Sequence, residues 1–334
     1  MKRVANLYPR IPEPDNLRLA FVKAARGKRA RPDVVAFSAR FDANIETLRR
    51  QILARQPDIG HYRFFRVRDP KPRDICAAAF PERVLHHAAM NVCEPHLEAP
   101  AIFDSYACRK GKGNRAALAR AQTFARRFPW FLKLDIRKYF DSIDHAVLVN
   151  QLSRRFKDRD LLDLFRRLLA TYCTAPGKGM PIGNLISQHL ANFHLGAADH
   201  FVKEERRVRG YLRYMDDMVL FGPDKAFLKT ERSALTGFLE SRLKLRVKNN
   251  VQLNRTRHGI PFLGFRVFPQ RIRLSPAGKR RFIRRFQNFE QKFLDGRWTE
   301  TELARHATPL VEFTRAGNVG AFRRNVIQRF GASL

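Results

Sequence analysis

Gly210-Tyr-Leu-Arg-Tyr-Met-Asp-Asp-Met-Val-Leu-Phe-Gly222 sets two β-prone apolar runs on either side of a pair of adjacent aspartates. Two such runs around a short polar break read as a β-hairpin with Asp216 and Asp217 at its tip. Neighbouring carboxylates repel each other and favour neither strand nor helix. Something must hold them, and a divalent cation does so through hard oxygen ligands. A polar hairpin turn with no further role would use the same four residues, Tyr214-Met215-Asp216-Asp217, so the surrounding chain has to decide.

A second acid source lies upstream. Phe131-Leu-Lys-Leu-Asp-Ile136 is a short apolar strand in which Asp135 stands near the end, followed by Arg137, Lys138, Tyr139, Phe140 and Asp141. Alone, such an aspartate reads as a turn former or cap. Beside the hairpin, it gives three carboxylates on two strands. If those strands are neighbours, the acids can bind two Mg²⁺ ions about 3.5–4 Å apart, which activate an attacking hydroxyl and stabilise a leaving pyrophosphate. A third stretch, Gly177-Lys-Gly-Met-Pro-Ile-Gly-Asn-Leu-Ile-Ser-Gln188, runs into His189-Leu-Ala-Asn192. Its glycines permit close backbone approach to a ligand. A helix starting at Gly183 or Asn184 presents an N-terminus that favours an anion. An ordinary loop-to-helix cap has the same composition.

Charge separates the function classes. The 334 residues carry 65 Lys and Arg against 31 Asp and Glu, a net charge of +34. Such an excess opposes compaction unless a polyanion screens it. Nucleic acid fits best, through phosphate neutralisation and counterion release, with a membrane surface as the weaker alternative. The basic residues are spread along the whole chain, which suggests a charged channel and not a tethering arm. Apolar content of 44% and charged content of 29% describe a globular chain. Cys76, Cys93, Cys108 and Cys173 form no Cys-x-x-Cys pair, so they read as thiols of a reducing compartment and not as a zinc knuckle. No apolar run is long enough to span a membrane, and the first residues lack an apolar signal core. A cytoplasmic protein without membrane contact is expected.

The pattern along the chain is α+β. A basic, mostly helical region is expected over 1–60. A strand-like stretch follows from His61, with prolines at 70 and 72 marking a bend. Helices are expected over 80–98, 116–127, from Asp144 as N-cap, over 159–172, 184–207 and 224–242, with strands near 260–274. Ser105 to Asn114 reads as a basic glycine-containing loop. In the last segment, Phe282, Phe286, Phe289 and Phe293 lie on one helix face, and Thr299-Glu-Thr-Glu302 matches a capping box. There is no internal repeat.

The ordered set of Asp135 strand, Gly-x-Pro-x-Gly-x-x-x-Ser-Gln loop, Tyr-Met-Asp-Asp hairpin and Phe262-Leu-Gly-Phe265 resembles a reverse transcriptase, over about residues 60 to 330. Asp69-Pro-Lys-Pro-Arg73 and Ser105-Tyr-Ala-Cys-Arg-Lys-Gly-Lys-Gly113 resemble the fingers motifs of bacterial members. Pro-Ile-Gly-Asn-Leu-Ile-Ser-Gln most resembles the enzymes of diversity-generating retroelements; Ile182 and Gln188 depart from the group II intron pattern. The resemblance implies a right-hand polymerase with an antiparallel-sheet palm. Its expected parts are the basic helical N-terminal region 1–60, fingers 61–128, palm 129–275 with part of the fingers inserted, and a helical thumb 276–334. It leaves no room for a maturase or endonuclease domain and shows no RNase H acid set.

The same resemblance implies residue roles. Asp135 and Asp216 match the acids that bridge two Mg²⁺ ions, Asp217 the third acid, and the Ile136 carbonyl a further metal ligand. Phe140 matches the aromatic gate against the 2′-hydroxyl, and Lys71 and Arg73 match residues that hold the deoxynucleoside triphosphate. Ile182 and Gly183 border the nucleotide. Tyr214, Met215, Arg109, Lys110 and Lys112 match nucleic-acid contacts, and Lys248 a lysine that protonates pyrophosphate. Partners implied are a template RNA, a DNA or RNA primer, deoxynucleotides and a small accessory variability protein. An apolar residue at 182 removes a polar check on the nascent pair, which in diversity-generating members accompanies error-prone copying at template adenines. A reverse transcriptase of an anti-phage defence or other bacterial retroelement system with its own non-coding RNA, and a catalytically silent RNA binder, are the competing readings. Three converging carboxylates argue against the silent binder.

Overall fold

The computed structural model describes residues 3–68 and 72–331. Helices α1 (Pro14–Ala25), α2 (Pro32–Ala39) and α3 (Phe41–Leu53) lead to strands β1 (Tyr62–Arg68) and β2 (Pro72–Ala78). Helices α4 (Phe80–Glu98) and α5 (Asn114–Arg127) precede β3 (Trp130–Asp135). Then come α6 (Tyr139–Ser142), α7 (His145–Arg155), α8 (Arg159–Ala170), α9 (Leu185–His194) and α10 (Gly196–His200). The hairpin β4 (Gly210–Tyr214) and β5 (Asp217–Gly222) is followed by α11 (Lys225–Leu243) and β6 (Gln252–Arg255). Short strands β7 (Ile260–Phe262), β8 (Phe265–Val267) and β9 (Ile272–Leu274) lead to α12 (Pro276–Leu294), α13 (Glu300–Thr314) and α14 (Gly320–Phe330).

The chain divides into two units that interleave in sequence. The first takes Met1–Phe103, Ile136–Phe201 and Ala234–Lys248; the second takes Asp104–Asp135, Val202–Ser233 and Asn249–Leu334. In the first unit, α4 is the central helix and packs against α1 and α9. Small buried residues on both helices, Ala20 and Ala24 on α1 and Ala88 and Ala89 on α4, suit a close approach of the backbones. Asp158 caps α8 by accepting from Leu161 N at 3.3 Å. Its other oxygen accepts from Leu7 N and Tyr8 N at 2.9 and 2.8 Å, fastening the N-terminal segment to that helix. Asp144 caps α7 as its sequence predicts, accepting from Val147 N at 3.1 Å. Strands β1 and β2 form an antiparallel hairpin of their own.

The single helix expected over 184–207 is instead α9, α10 and a wide π turn, Phe201–Glu205. Gly196 stands at the first break, where its backbone entropy weakens a continuous helix. At the second, the π turn brings the Phe201 ring against Phe238, centroids 4.4 Å apart. Such turns insert a residue where packing rewards a shifted side chain.

The second unit holds a four-stranded antiparallel sheet in the order β4-β5-β3-β6. Helix α5 packs Ala117, Leu118, Ala121 and Phe124 into a core with Phe131, Leu212, Val219 and Phe221. The same core takes in Phe262 and Phe265 of the three-stranded β7-β8-β9 sheet. Phe282 and Phe286 of α12 bury against Leu310 and Val326 of the following helices. The expected capping box is present: Thr299 and Glu302 bond reciprocally at the start of α13. Edge strand β6 was not anticipated. Its Gln-Leu-Asn-Arg sequence has one half-buried residue, so it shows no apolar alternation.

Candidate active site

The β4–β5 ladder ends at the pair Tyr214↔Asp217, leaving Met215 and Asp216 as the turn. Met215 has φ +54, a left-handed backbone at a non-glycine residue. Hairpin turns ordinarily place glycine or asparagine at such positions. Arg213 braces it: Nη1 donates to Met215 O at 3.0 Å and Nη2 to Ser105 Oγ at 3.2 Å.

Strand β3 lies beside β5, and Asp135 is the register partner of Asp217. The three acids expected to converge therefore do so within the second unit. The Asp216 pKa is raised to about 6. Burial is the first cause; the like charges of Asp135 and Asp217 add to it, partly opposed by a backbone hydrogen bond. The Asp217 carboxylate accepts from Lys133 Nζ at 3.0 Å. Lys133 also donates to Pro261 O at 3.1 Å. Hard carboxylate oxygens, half-buried and mutually repelling, are the donor set that suits Mg²⁺. Asp135, Asp216 and Asp217 are the residues that would hold it.

The basic loop joins the same unit. Ser105 and Arg213 form a parallel bridge. Arg213 N donates to Asp104 O at 2.9 Å and Tyr106 N to Arg213 O at 3.0 Å. Arg109 Nη1 donates to Ser105 O at 2.8 Å, and Lys112 Nζ sits 5.0 Å from the Tyr106 ring centroid. Lys110 is exposed.

Arg73, Phe140, Ile182 and Gly183, the residues expected beside the nucleotide, belong to the first unit. Met180 N donates to Phe140 O and Cys76 N to Ile182 O, both at 2.8 Å, so the glycine loop bridges α6 and β2. Gly183 has φ +117, and a Cβ there would come within 2.7 Å of the Ile75 side chain. Both features require glycine. Asn184 Oδ1 accepts from Ala78 N at 3.1 Å, which anchors the start of α9. Arg73 is exposed on β2. Lys71 lies outside the described residues. Ile136 pairs with Val247, which places Lys248 next along the chain. Cys76 and Cys93 are buried, while Cys108 is half-buried and Cys173 exposed.

Sequence reasoning passed over two residues of the site. Lys133 stands two positions before Asp135, on the same face of a period-2 strand, and that spacing was available as a signal. Arg213 is a charge inside an otherwise apolar strand, visible but without an evident partner.

Antiparallel sheets, a carboxylate hairpin paired with an acid-terminated strand, and a set of C-terminal helices define a right-hand polymerase of the α+β class. Apo telomerase from Candida tropicalis has this fold: TM-score 0.54, with 10% identity, covering 82% of this chain and 60% of that one. The reverse transcriptase (RNA-dependent DNA polymerase) family matches residues 69–267. The chain belongs to that family, and its enzyme class is RNA-directed DNA polymerase. Protein YkfC of Escherichia coli K12 is 25% identical over 286 residues, 70% of this chain and 74% of that protein. The group II intron-encoded protein LtrA of Lactococcus lactis is 30% identical over 142 residues, 40% of this chain and 23% of LtrA. The chain thus spans under a quarter of that intron protein. Among the described residues, no helix is long and apolar enough to cross a membrane.

Proposed function

We propose that the protein copies an RNA template into DNA by two-metal nucleotidyl transfer. The observation that supports this most is the register of Asp135 with Asp217, beside an Asp216 whose charge is disfavoured by burial and by Asp135. Two bound Mg²⁺ ions would lower the barrier to forming the primer O3′–Pα bond and stabilise the pyrophosphate released as the Pα–O–Pβ bond breaks. Asp135 and Asp216 are the residues that would hold the ions, with the Ile136 carbonyl as a further ligand. Asp217 acts from the outside, its carboxylate kept in place by Lys133. Phe140 excludes the 2′-hydroxyl, Ile182 and Gly183 border the incoming nucleotide, and Lys71 and Arg73 hold its triphosphate through charge-assisted bonds. Arg109, Lys110, Lys112, Tyr214 and Met215 contact template and primer.

The division into N-terminal region, fingers, palm and thumb at 1–60, 61–128, 129–275 and 276–334 belongs to the same proposal. So does the assignment to a diversity-generating retroelement, which rests on Ile182 and Gln188 and implies error-prone copying with a small accessory protein. Extension of a DNA primer on an RNA template with Mg²⁺, comparing the parent with Asp216→Ala and sequencing the products, tests both levels. Synthesis by the parent alone, with errors concentrated at template adenines, supports both. Accurate copying removes the retroelement assignment, and no synthesis with the native flanking RNA present removes the polymerase reading.

A further inference from the structure

We propose that Arg213 is a positioning residue that locks the carboxylate hairpin and ties it to the basic loop at Ser105–Gly113. The inference rests on the two-metal reading and adds a named residue to it. Arg213 is 1% exposed, among the largest fully buried side chains of the protein. Burying a guanidinium costs several kcal/mol unless acceptors meet it, and an apolar residue would fill a strand position at no such cost. The acceptors it meets are not incidental. One is the carbonyl of Met215, the residue that holds the left-handed turn next to Asp216. Such a backbone is disfavoured outside glycine and persists only where the surroundings determine it. Another is the hydroxyl of Ser105, itself buried, at the root of the basic loop.

The backbone doubles the link. Arg213 exchanges hydrogen bonds with Asp104 and Tyr106 on either side of Ser105, and Ser105 O accepts from Arg109. A strand of nucleic acid held by Arg109, Lys110 and Lys112 is therefore joined to the metal-binding turn through Ser105 and Arg213. The planar fork of an arginine can hold two acceptors at once in fixed geometry; a lysine presents a single nitrogen.

The test uses Arg213→Lys and Ser105→Ala in the full chain. Four quantities are read: Mn²⁺ affinity by titration calorimetry without nucleic acid, melting temperature, and kcat and KM for deoxynucleotide. Loss of one such bond predicts, for Ser105→Ala, about tenfold lower kcat and about tenfold weaker Mn²⁺ binding. KM for deoxynucleotide should stay at the parent value, because no triphosphate contact is touched. Arg213→Lys should fall further in kcat and Mn²⁺ affinity, again without a KM change. Folded variants with the parent's Mn²⁺ affinity and kcat would overturn the inference and leave Arg213 a packing residue. A parent protein that neither binds Mn²⁺ nor extends a primer would overturn the two-metal reading itself, before any variant is made.

Discussion

Two antiparallel hairpins are built for opposite ends. In β1–β2 the strand Tyr-Arg-Phe-Phe-Arg-Val-Arg is exposed along nearly its whole length, with Phe64 at 64%. In β4–β5 nine of the eleven strand residues are buried, and only the residues at the tip are half-buried. Each has an arginine with acceptors. Arg66 reaches across to Asp74 at 2.7 Å in full solvent, where such a pair contributes little. The Arg213 side chain is buried and meets the Met215 carbonyl at the half-buried tip, where a charge depends on the acceptors around it. The same secondary structure thus gives an exposed surface in one unit and a buried base for carboxylates in the other. Burial on both faces, not the hairpin itself, is what makes the second a platform for chemistry.

The comparison breaks most readily at the acids. Asp216→Asn should cut kcat by about a thousandfold or more, since charge stabilisation at the reacting group is the largest single contribution, while primer-template binding stays near the parent value. A variant with unchanged kcat would show that the rigid hairpin is not the reactive one. On the exposed hairpin, Arg73→Ala should act through substrate instead. Loss of a charge-assisted phosphate bond predicts a KM for deoxynucleotide about tenfold higher with kcat little changed. A matching drop in kcat would place Arg73 among the groups that act in the transition state.

The double variant Phe64→Ala, Phe65→Ala sharpens the contrast further. Exposed aromatics interleaved with arginines suit stacking on bases, worth about 1–3 kcal/mol per base. Weaker single-stranded RNA binding with an unchanged melting temperature is expected from fluorescence anisotropy and calorimetry. A lower melting temperature with unchanged RNA affinity would mean that the rings serve the fold.

The smallest effect is in pH. The Asp216 pKa rises on folding from its ordinary 3.8 to about 6, so the folded state holds this proton more tightly than the unfolded one. Its contribution to stability is complete below about 3.8 and is lost as pH rises through about 6. The metal-free protein should therefore lose this contribution between those values, a loss absent in Asp216→Asn. Mg²⁺ at pH 7 should restore melting by binding the folded state. Protons compete with Mg²⁺ for this carboxylate, so Mg²⁺ binding to the metal-free protein should weaken as pH falls through about 6.

Much of the site is local and so legible in sequence. The Tyr214–Asp217 turn, the Asp144 cap and the Thr299–Glu302 box each depend on residues within a few positions. The acid-bearing strand and glycine loop were also placed correctly as elements. What could not be read depends on distant partners. The Asp135↔Asp217 register is a property of strand order, and nothing in either segment encodes it alone. The Lys133–Asp217 pair and the Arg213–Ser105 bond each cross more than eighty residues. Strand β6 owes its existence to β3 beside it, not to its own polar sequence.

The central claim is that Asp135, Asp216 and Asp217 form one divalent-metal site. Diffraction from crystals grown with Mn²⁺, primer-template and a non-hydrolysable deoxynucleotide analogue, recorded at a wavelength that shows manganese by anomalous scattering, tests it directly. Two anomalous peaks about 3.5–4 Å apart, both within ligand distance of Asp135 and Asp216, are predicted. Manganese bound elsewhere, or absent from these carboxylates while the nucleotide is in place, would contradict it.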